Sequence, residues 1–474
     1  MKNIKNVFYL FLVIFTIAGC RKEQFEVDTT INPNAPSAAL YLKNATRDQI
    51  NQLGVALQSV TRSGYADFIR NSATVGREAV YSASTDNRYF TELLGSAVSS
   101  FPAIAPSTVG TNDPGGIFNS YYSSYSQTRR RALNFVTAAN NTSALSSQEK
   151  FAITGFSLTI QAYVTLNLLN MQGTNGIRET FTDLAAPGDL LTPGKFGTYA
   201  TGLIAVKKMV DDGLAALNSA GTVGFPFSLN NGYTANGISS IADFAKLNRA
   251  IAARIAMYQQ DWSGMSTALN ASFYSATGSL SAGPTFIFST APNDISNSLY
   301  AVPNSSGAPY VAFEPLITDA ESGDTRIFGS SAKVAKRTSP RQSGAFTSTS
   351  DVVLYSSNVA SASMLRNEEL VLMFAEASAQ TNALPAAVIA INRIRTAYGL
   401  PIYTGALSQA ALITEILKQR RYSLFFEGHR WFDMRRYNLL SQIQPQGIVS
   451  GNNFVVFTTM ARPDAEVQWD KLNP

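Results

Sequence analysis

Lys418–Asn438 reads KQRRYSLFFEGHRWFDMRRYN. An apolar core, with Phe425, Phe426, Trp431 and Phe432, is packed against Arg420, Arg421, Glu427, Arg430, Asp433, Arg435 and Arg436. Glu427, Arg430, Asp433 and Arg436 stand three apart with alternating sign, so helical geometry would bring them together. Beside Trp431 and Phe432, such a lattice has two readings. One is an active site. The other is architecture, with arginine forks on carboxylates tying segments together under aromatic cover. The second is preferred, and it makes Arg420, Glu427, Arg430, Asp433 and Arg436 a structural charge cluster.

Outward from this block the chain reads as helical. A helix is expected from about Ser408 to Phe426, closed by Gly428. Before it, Leu370, Met373, Phe374 and Ala377 form one stripe, and Val388, Ile391, Arg395 and Tyr398 follow at helical steps. Pro385 suits the first turn of that second helix, and Gly399 with Pro401 stops it. Further upstream, Ser146-Ser147-Gln148-Glu149 has the form of a capping box and opens an apolar run to Met171 whose hydrophobic residues almost encircle the helix, so it should be buried. Tyr199, Leu203, Val206, Val210, Leu214 and Leu217 keep steps of three and four. A helix from near Ser240 is expected to bury Phe244, Leu247, Ile251, Ile255 and Tyr258, with its alanines admitting a close neighbour; a shorter one runs from Ser263 to about Ala271. Leu40–Val60 also reads as helical.

The helical scaffold thus covers about 146–271 and 364–440. Between them, about 272–363, the texture changes to Ser, Gly, Pro, Asn and Thr with scattered aromatics and no sustained period, a long loop-rich insertion of the kind that carries binding when held on a rigid frame. Phe101–Gly116 reads as a loop, and Arg129-Arg130-Arg131 as a solvated helix face. Helices paired through short connections suggest stacked hairpins of the tetratricopeptide type, although no clean 34-residue repeat is present.

The Lys418–Asn438 block resembles the C-terminal signature of the SusD/RagB family, and Arg366–Pro401, RNEELVLMFAEASAQTNALPAAVIAINRIRTAYGLP, resembles that family's preceding helical pair. The helix from Glu149 and the one ending in Tyr258-Gln259-Gln260-Asp261-Trp262 are similar to its other scaffold helices. Gln419 and Ser423 stand where glutamates are usual, which removes part of the ion lattice. INPNAPS and Thr85–Tyr89 resemble a divergent SusD-like subgroup. The resemblance implies a mainly α, SusD-like fold with tetratricopeptide-like hairpins. It also implies an outer-membrane lipoprotein of Bacteroidota, facing the cell exterior. Such a protein lies over a SusC-like TonB-dependent transporter and passes it captured oligosaccharide or peptide, without catalysis.

The N-terminus agrees with export. Residues 1–19 begin with Lys2 and Lys5 and continue with an apolar run, Val7–Ile17, whose helix would rise only about 16 Å, too short for a span and suited to a signal peptide. Ile17-Ala18-Gly19-Cys20 resembles a bacterial lipobox, which makes Cys20 the expected lipidation site, with a palmitate-type acyl chain usual on the freed amine. Each buried methylene contributes about 0.8 kcal/mol to such anchoring. Cys20 is the sole cysteine of the 474 residues, so no internal disulfide can form and stability must come from a core, for which 45% hydrophobic residues suffice. Residues 20–36 read as a polar tether and 37–474 as one SusD-like domain. The 37 Lys and Arg, less Lys2 and Lys5, leave 35 against 32 acidic side chains. That mild balance, with no basic block, excludes nucleic acid as the expected partner.

Catalytic signals are sparse. His429 is the sole histidine, no G-x-S-x-G or P-loop stands out, and neither a metal nor a cofactor is expected. For a glycan, flat aromatics would meet the sugar faces while amides, carboxylates and arginines reach the hydroxyls. Trp431 and Trp262 belong to the scaffold, which leaves Trp469, so tyrosine or phenylalanine should supply stacking. The candidates are Tyr81, Asp86, Asn87, Arg88 and Tyr89 in the N-terminal part, and Tyr300, Tyr310, Phe313 and Tyr355 in the insertion. At least two of them are expected to line one shallow pocket. A structural or adhesive surface lipoprotein and a glycan-degrading lipoprotein enzyme are the competing readings.

Overall fold

The computed structural model describes residues 42–83, 86, 88–94, 116–117, 119–179, 194–343, 346–443 and 456–472. The expectations for the leader, Cys20, the tether, Asn87 and nearly all of the 101–116 loop lie outside these residues.

In chain order, α1 (Arg47–Ser63), α2 (Tyr65–Val75), β1 (Ala79–Tyr81), α3 (Arg88–Thr91) and α4 (Asn119–Asn141) lead to α5 (Ser147–Gln172) and α6 (Tyr199–Ala220). A single turn, α7 (Asn231–Thr234), precedes α8 (Ile241–Gln259) and α9 (Trp262–Asn270). The insertion holds β2 (Thr285–Phe286), β3 (Tyr310–Ala312), α10 (Glu314–Thr318), α11 (Thr325–Phe328), β4 (Val334–Ser343), β5 (Phe346–Val352) and β6 (Ala362–Ser363). The chain returns to helix in α12 (Asn367–Gln380), α13 (Leu384–Ala397), α14 (Gln409–Ser423), α15 (Arg430–Arg436) and α16 (Asp464–Leu472).

Helix α5 is the axis of the molecule. The Ser146 hydroxyl accepts from the Glu149 amide at 3.2 Å, and the Glu149 carboxylate accepts from the Ser146 amide at 2.8 Å. These bonds satisfy two of the amides that a helix start leaves open. From Ala152 onward nearly every side chain is buried. With the turn after it, this segment is long and apolar enough to cross a membrane, but its apolar window is 89% buried within the protein, so it is a core helix here. Helices α4, α6 and α8 pack around it. At the α5–α6 crossing a Cβ on Gly155 would stand 2.5 Å from Leu217 and 2.9 Å from the Gly213 carbonyl, so only glycine permits this approach. Asn248 of α8 fastens the trio, its amide donating to Thr159 at 2.8 Å and to the Val210 carbonyl at 2.9 Å.

Helix α12 faces two ways. Leu370, Met373 and Ala377 enter the main core, whereas Val371, Leu372, Ala375 and Ala379 join Ile391, Ile394, Leu412 and Ile416 in a second core shared by α12, α13 and α14. Contacts of α9 and α8 with α12 connect the two halves of the scaffold. The fold is mainly α and built from packed helical hairpins.

Several expectations are corrected. The Leu40–Val60 helix is interrupted: residues 42–44 are helical, the chain leaves helix at Ala45 and Thr46, and α1 starts at Arg47, where Thr46 and Gln49 form a capping box; Leu40 lies outside the described residues. Helix α14 ends at Ser423, and a turn through Phe426 and Gly428, both at positive φ, carries the chain across α2. Arg129 is not on a solvated face: it is 2% exposed and donates to the Arg178 carbonyl at 2.7 Å. The insertion is no mere loop, since it supplies β3, β5 and β4 to a four-stranded antiparallel sheet in the order β1-β3-β5-β4. Its alternation is invisible to a hydrophobicity reading because the inward residues of β5 include Ser348 and Ser350, and the Ser348 hydroxyl is satisfied by the Ala312 carbonyl at 2.6 Å.

Candidate functional site

Strand β1 follows α2 and pairs with β3 in the register Ala79↔Ala312, Val80↔Val311, Tyr81↔Tyr310. That register sets the rings of Tyr81 and Tyr310 side by side at the sheet's end, centroids 4.9 Å apart, and Tyr89 of α3 meets Tyr81 edge-on at 5.4 Å. Arg70, on the preceding helix, ties the group together. Its guanidinium lies 5.6 Å from the Tyr81 ring and donates to the Tyr310 hydroxyl at 2.5 Å, to Asp67 at 2.8 Å and to the Ser298 carbonyl at 2.7 Å. Burial lowers the Arg70 guanidinium's affinity for its proton, but Tyr310, Tyr89 and Asp67 outweigh this and hold it above its ordinary value. Burial pushes the Tyr89 hydroxyl up to about 12, so it stays a neutral donor at physiological pH.

At the open side of this cluster Arg88 forks onto Asp86, with bonds of 2.8 and 2.9 Å, and that bond holds the Asp86 carboxyl below its usual range. Arg88 is exposed, and Tyr81 and Asp86 are half-buried, whereas Tyr89 and Tyr310 are buried and brace them. Tyr300 is half-buried two residues beyond Ser298, whose carbonyl also accepts from the Tyr310 hydroxyl at 2.6 Å. The structure does not bring Phe313 and Tyr355 to this surface. Phe313 is in the core, edge-on to Phe346 at 5.1 Å, and Tyr355 is buried beside Tyr65. Asn87 lies outside the described residues. Arg70 was missed in the sequence: its spacing from Asp67 is visible, but its partner Tyr310 stands 240 positions away.

The C-terminal block divides. Arg420, 1% exposed, donates to Asp433 at 2.7 Å, and Asp433 also accepts from Arg436 at 3.0 Å. Arg436 forks onto Glu376, which accepts from the Tyr437 hydroxyl at 2.6 Å as well. Burial pushes the Asp433 carboxyl up, but Arg420 and Arg436 outweigh it and hold it at about 2. Glu427 stands before α15 rather than within it, so it does not join Arg430 and Asp433; its ion pair is with Arg366, and Lys333 lies 3.8 Å away. Where glutamates are usual in the resemblance, Gln419 and Ser423 hold the buried Arg326, each accepting at 2.8 Å.

His429 is buried, and desolvation lowers its imidazole to about 3 although Glu369 is 3.8 Å away, so it is neutral at physiological pH. The cavity beside it holds about 20 Å³, room for a single water and not for a substrate. Among the described residues, no three His, Cys, Asp or Glu side chains gather as metal ligands.

The SusD family model matches residues 348–471, which span the second core and the Lys418–Asn438 block. The chain matches the SusD family in this C-terminal part. The fold agrees over most of its length. It is similar to a SusD superfamily protein from Bacteroides thetaiotaomicron, at 15% identity and a TM-score of 0.64, covering 89% of this chain and 98% of that one. A SusD-like carbohydrate-binding protein from Bacteroides vulgatus is similar at 14% identity and a TM-score of 0.62, covering 90% and 97%. A laminarin-binding SusD-like protein shares 16% identity at a TM-score of 0.57, covering 90% and 98%. At these identities the likeness is one of fold. No curated protein matches the chain in sequence.

Proposed function

We propose that this chain is a lipid-anchored outer-membrane protein that captures oligosaccharide, or peptide, and passes it to a SusC-like TonB-dependent transporter without catalysing a reaction. What supports the reading is the tyrosine–arginine cluster at the end of the sheet, held on a SusD scaffold whose similar structures include carbohydrate-binding proteins. The half-buried Tyr81 ring offers an apolar face to sugar C–H groups, and Arg88, Asp86 and Arg70 offer donors and acceptors to hydroxyls. Tyr89 and Tyr310 hold Tyr81 in place, and Tyr300 extends the same side. Phe313 and Tyr355 act from beneath, as packing.

Binding without chemistry fits the histidine. It is neutral, enclosed and faces no space for a substrate. In this reading residues 1–19 direct export and a lipid on Cys20 holds the body at the envelope.

Affinity electrophoresis through gels carrying individual soluble polysaccharides, with calorimetry against oligopeptides as the parallel arm, tests the capture step. Retardation by at least one glycan, or saturable peptide binding, is expected, and Tyr81→Ala should weaken it about tenfold, the loss of one ring's contact. Unchanged migration in every gel with no peptide binding, or release of reducing sugar from a retarding polymer, would refute it.

A further inference from the structure

Away from the tyrosine cluster, at the other end of β1, a cavity of about 180 Å³ opens between α2, α10 and α15. Its lining includes three guanidinium-bearing residues, Arg77, Arg421 and Arg430, together with Gly76, Thr318 and Asp319. We propose that this cavity is an oxyanion-binding site, taking a carboxylate- or sulfate-type group between Arg430 and Arg421. The site stands on its own geometry and does not depend on glycan capture at Tyr81.

Charge balance is the first argument. Asp319 is the one carboxylate among the described lining residues; it is exposed and committed to Arg421 at 2.9 Å. Glu78, next to Arg77 in the chain, is 2% exposed, and burial pushes its carboxyl up to about 8, so it contributes little negative charge at pH 7. Among the described lining residues, Arg421 and Arg430 therefore share one carboxylate, Asp319.

Arg430 is the second. It makes no hydrogen bond or ion pair with any described residue, although each of Arg420, Arg435 and Arg436 in the same block is bonded. Burial, and after it the neighbouring Arg421, lowers its guanidinium to about 10. A guanidinium so placed presents its fork of donors to the cavity, and bidentate pairing with a planar carboxylate or a tetrahedral sulfate is the chemistry that satisfies it. Arg77 is fixed alongside by its bond to the Thr74 carbonyl at 3.2 Å. A Cβ at Gly76 would stand 3.1 Å from the Trp431 backbone nitrogen, so the wall of the cavity is pinned to the residue next to Arg430.

Two sources offer this chemistry: a free inorganic anion, and the carboxylate of an acidic sugar. Calorimetric titration of the signal-free chain with sodium sulfate and with sodium galacturonate distinguishes them, with galactose as the uncharged match and sodium chloride at equal ionic strength as control. Saturable binding of at least one anion is expected, none of galactose, and a weakening of tenfold or more in Arg430→Gln and in Arg421→Gln. The thermal midpoint of Arg430→Gln should stay near that of the parent, since Arg430 has no described partner to lose, and that of Arg421→Gln should fall little, its bond to Asp319 being on the exposed side; if one variant fails to fold, the other carries the comparison. Sulfate binding alone assigns the site to a free anion, and tighter galacturonate binding assigns it to an acidic sugar. Absence of saturable binding by either anion, or affinity unchanged in the folded variants, overturns the proposal.

Discussion

At the residue scale the protein is governed by buried charge. Asp433 serves Arg420 and Arg436 at once, and Glu369 serves Arg254 with bonds of 2.7 Å and shorter contact at the second fork position. Removing one partner of such a group leaves the other charge unpaired in a dry interior, so Asp433→Asn should cost about 3 kcal/mol of stability, measured by urea unfolding. The pH dependence follows from the same groups. His429 is held near 3 in the folded chain against 6.5 ordinarily, Glu369 near 2 against 4.5, and Asp433 near 2 against 3.8. In each case the unfolded chain takes up its proton first as pH falls, so the contribution of these three groups is full above about pH 6.5 and is lost toward pH 2. The upper part of that decline, from pH 6.5 to 4.5, belongs to His429 alone among these three. Glu78, held at about 8, works in the opposite sense over that range, so His429→Gln should remove the histidine's part of the slope relative to the parent and leave the steeper part below pH 4.5. A His429→Gln profile that runs parallel to the parent's between pH 6.5 and 4.5 would contradict the buried, neutral histidine.

At the scale of elements, close helix crossings depend on glycine, and Gly155 is the sharpest case. A methyl group there meets Leu217 and the Gly213 carbonyl, so Gly155→Ala should force α5 and α6 apart and lower stability by about 1–3 kcal/mol despite alanine's better helix propensity. A stability gain in thermal unfolding would show that the crossing yields easily. The helices themselves were legible because their signals are local: the Ser146 capping box, the steps from Tyr199 to Leu217, and Pro385 in the first turn of α13 all stand within a few residues of what they specify. The sheet was not legible. Strands β1 and β3 are three residues each and pair across more than two hundred positions, and the inward serines of β5 carry no apolar period. The candidate site shares this limit. Tyr81, Tyr89 and Tyr310 could be singled out as aromatic residues in loop-like segments, but their convergence is a product of strand register, and Arg70, which joins them, has a partner that no local spacing reveals. Phe313 and Tyr355 show the converse: the same segments also send aromatics into the core.

At the scale of the whole molecule, two cores share α12, and irregular segments and a small sheet sit on the frame they make. Rigid packing of this kind suits a protein that must hold a binding face in one orientation toward a partner, because an interface stable enough to survive purification buries about 1,200–2,000 Å² and tolerates little internal slack. The proposed transport role and the competing adhesive role diverge here. A lid that passes ligand to a transporter has to rest on that transporter's mouth, while an adhesin needs no fixed neighbour in its own membrane. If the transport role holds, full-length protein, tagged at its C-terminus and extracted from the cell envelope in mild detergent, should bring down one large β-barrel protein in near-equal amount. Replacing Cys20 by Ser should abolish both membrane retention and that complex in cells, since in the proposed role acyl chains on Cys20 confine the two proteins to one surface and raise their effective concentration. The same Cys20→Ser chain, recovered as a free protein, should keep its affinity for polysaccharide or peptide, because the anchor is remote in sequence from Tyr81 and Arg88. Recovery of the tagged chain without a barrel partner, with Cys20 intact, would favour the adhesive role over capture for transport.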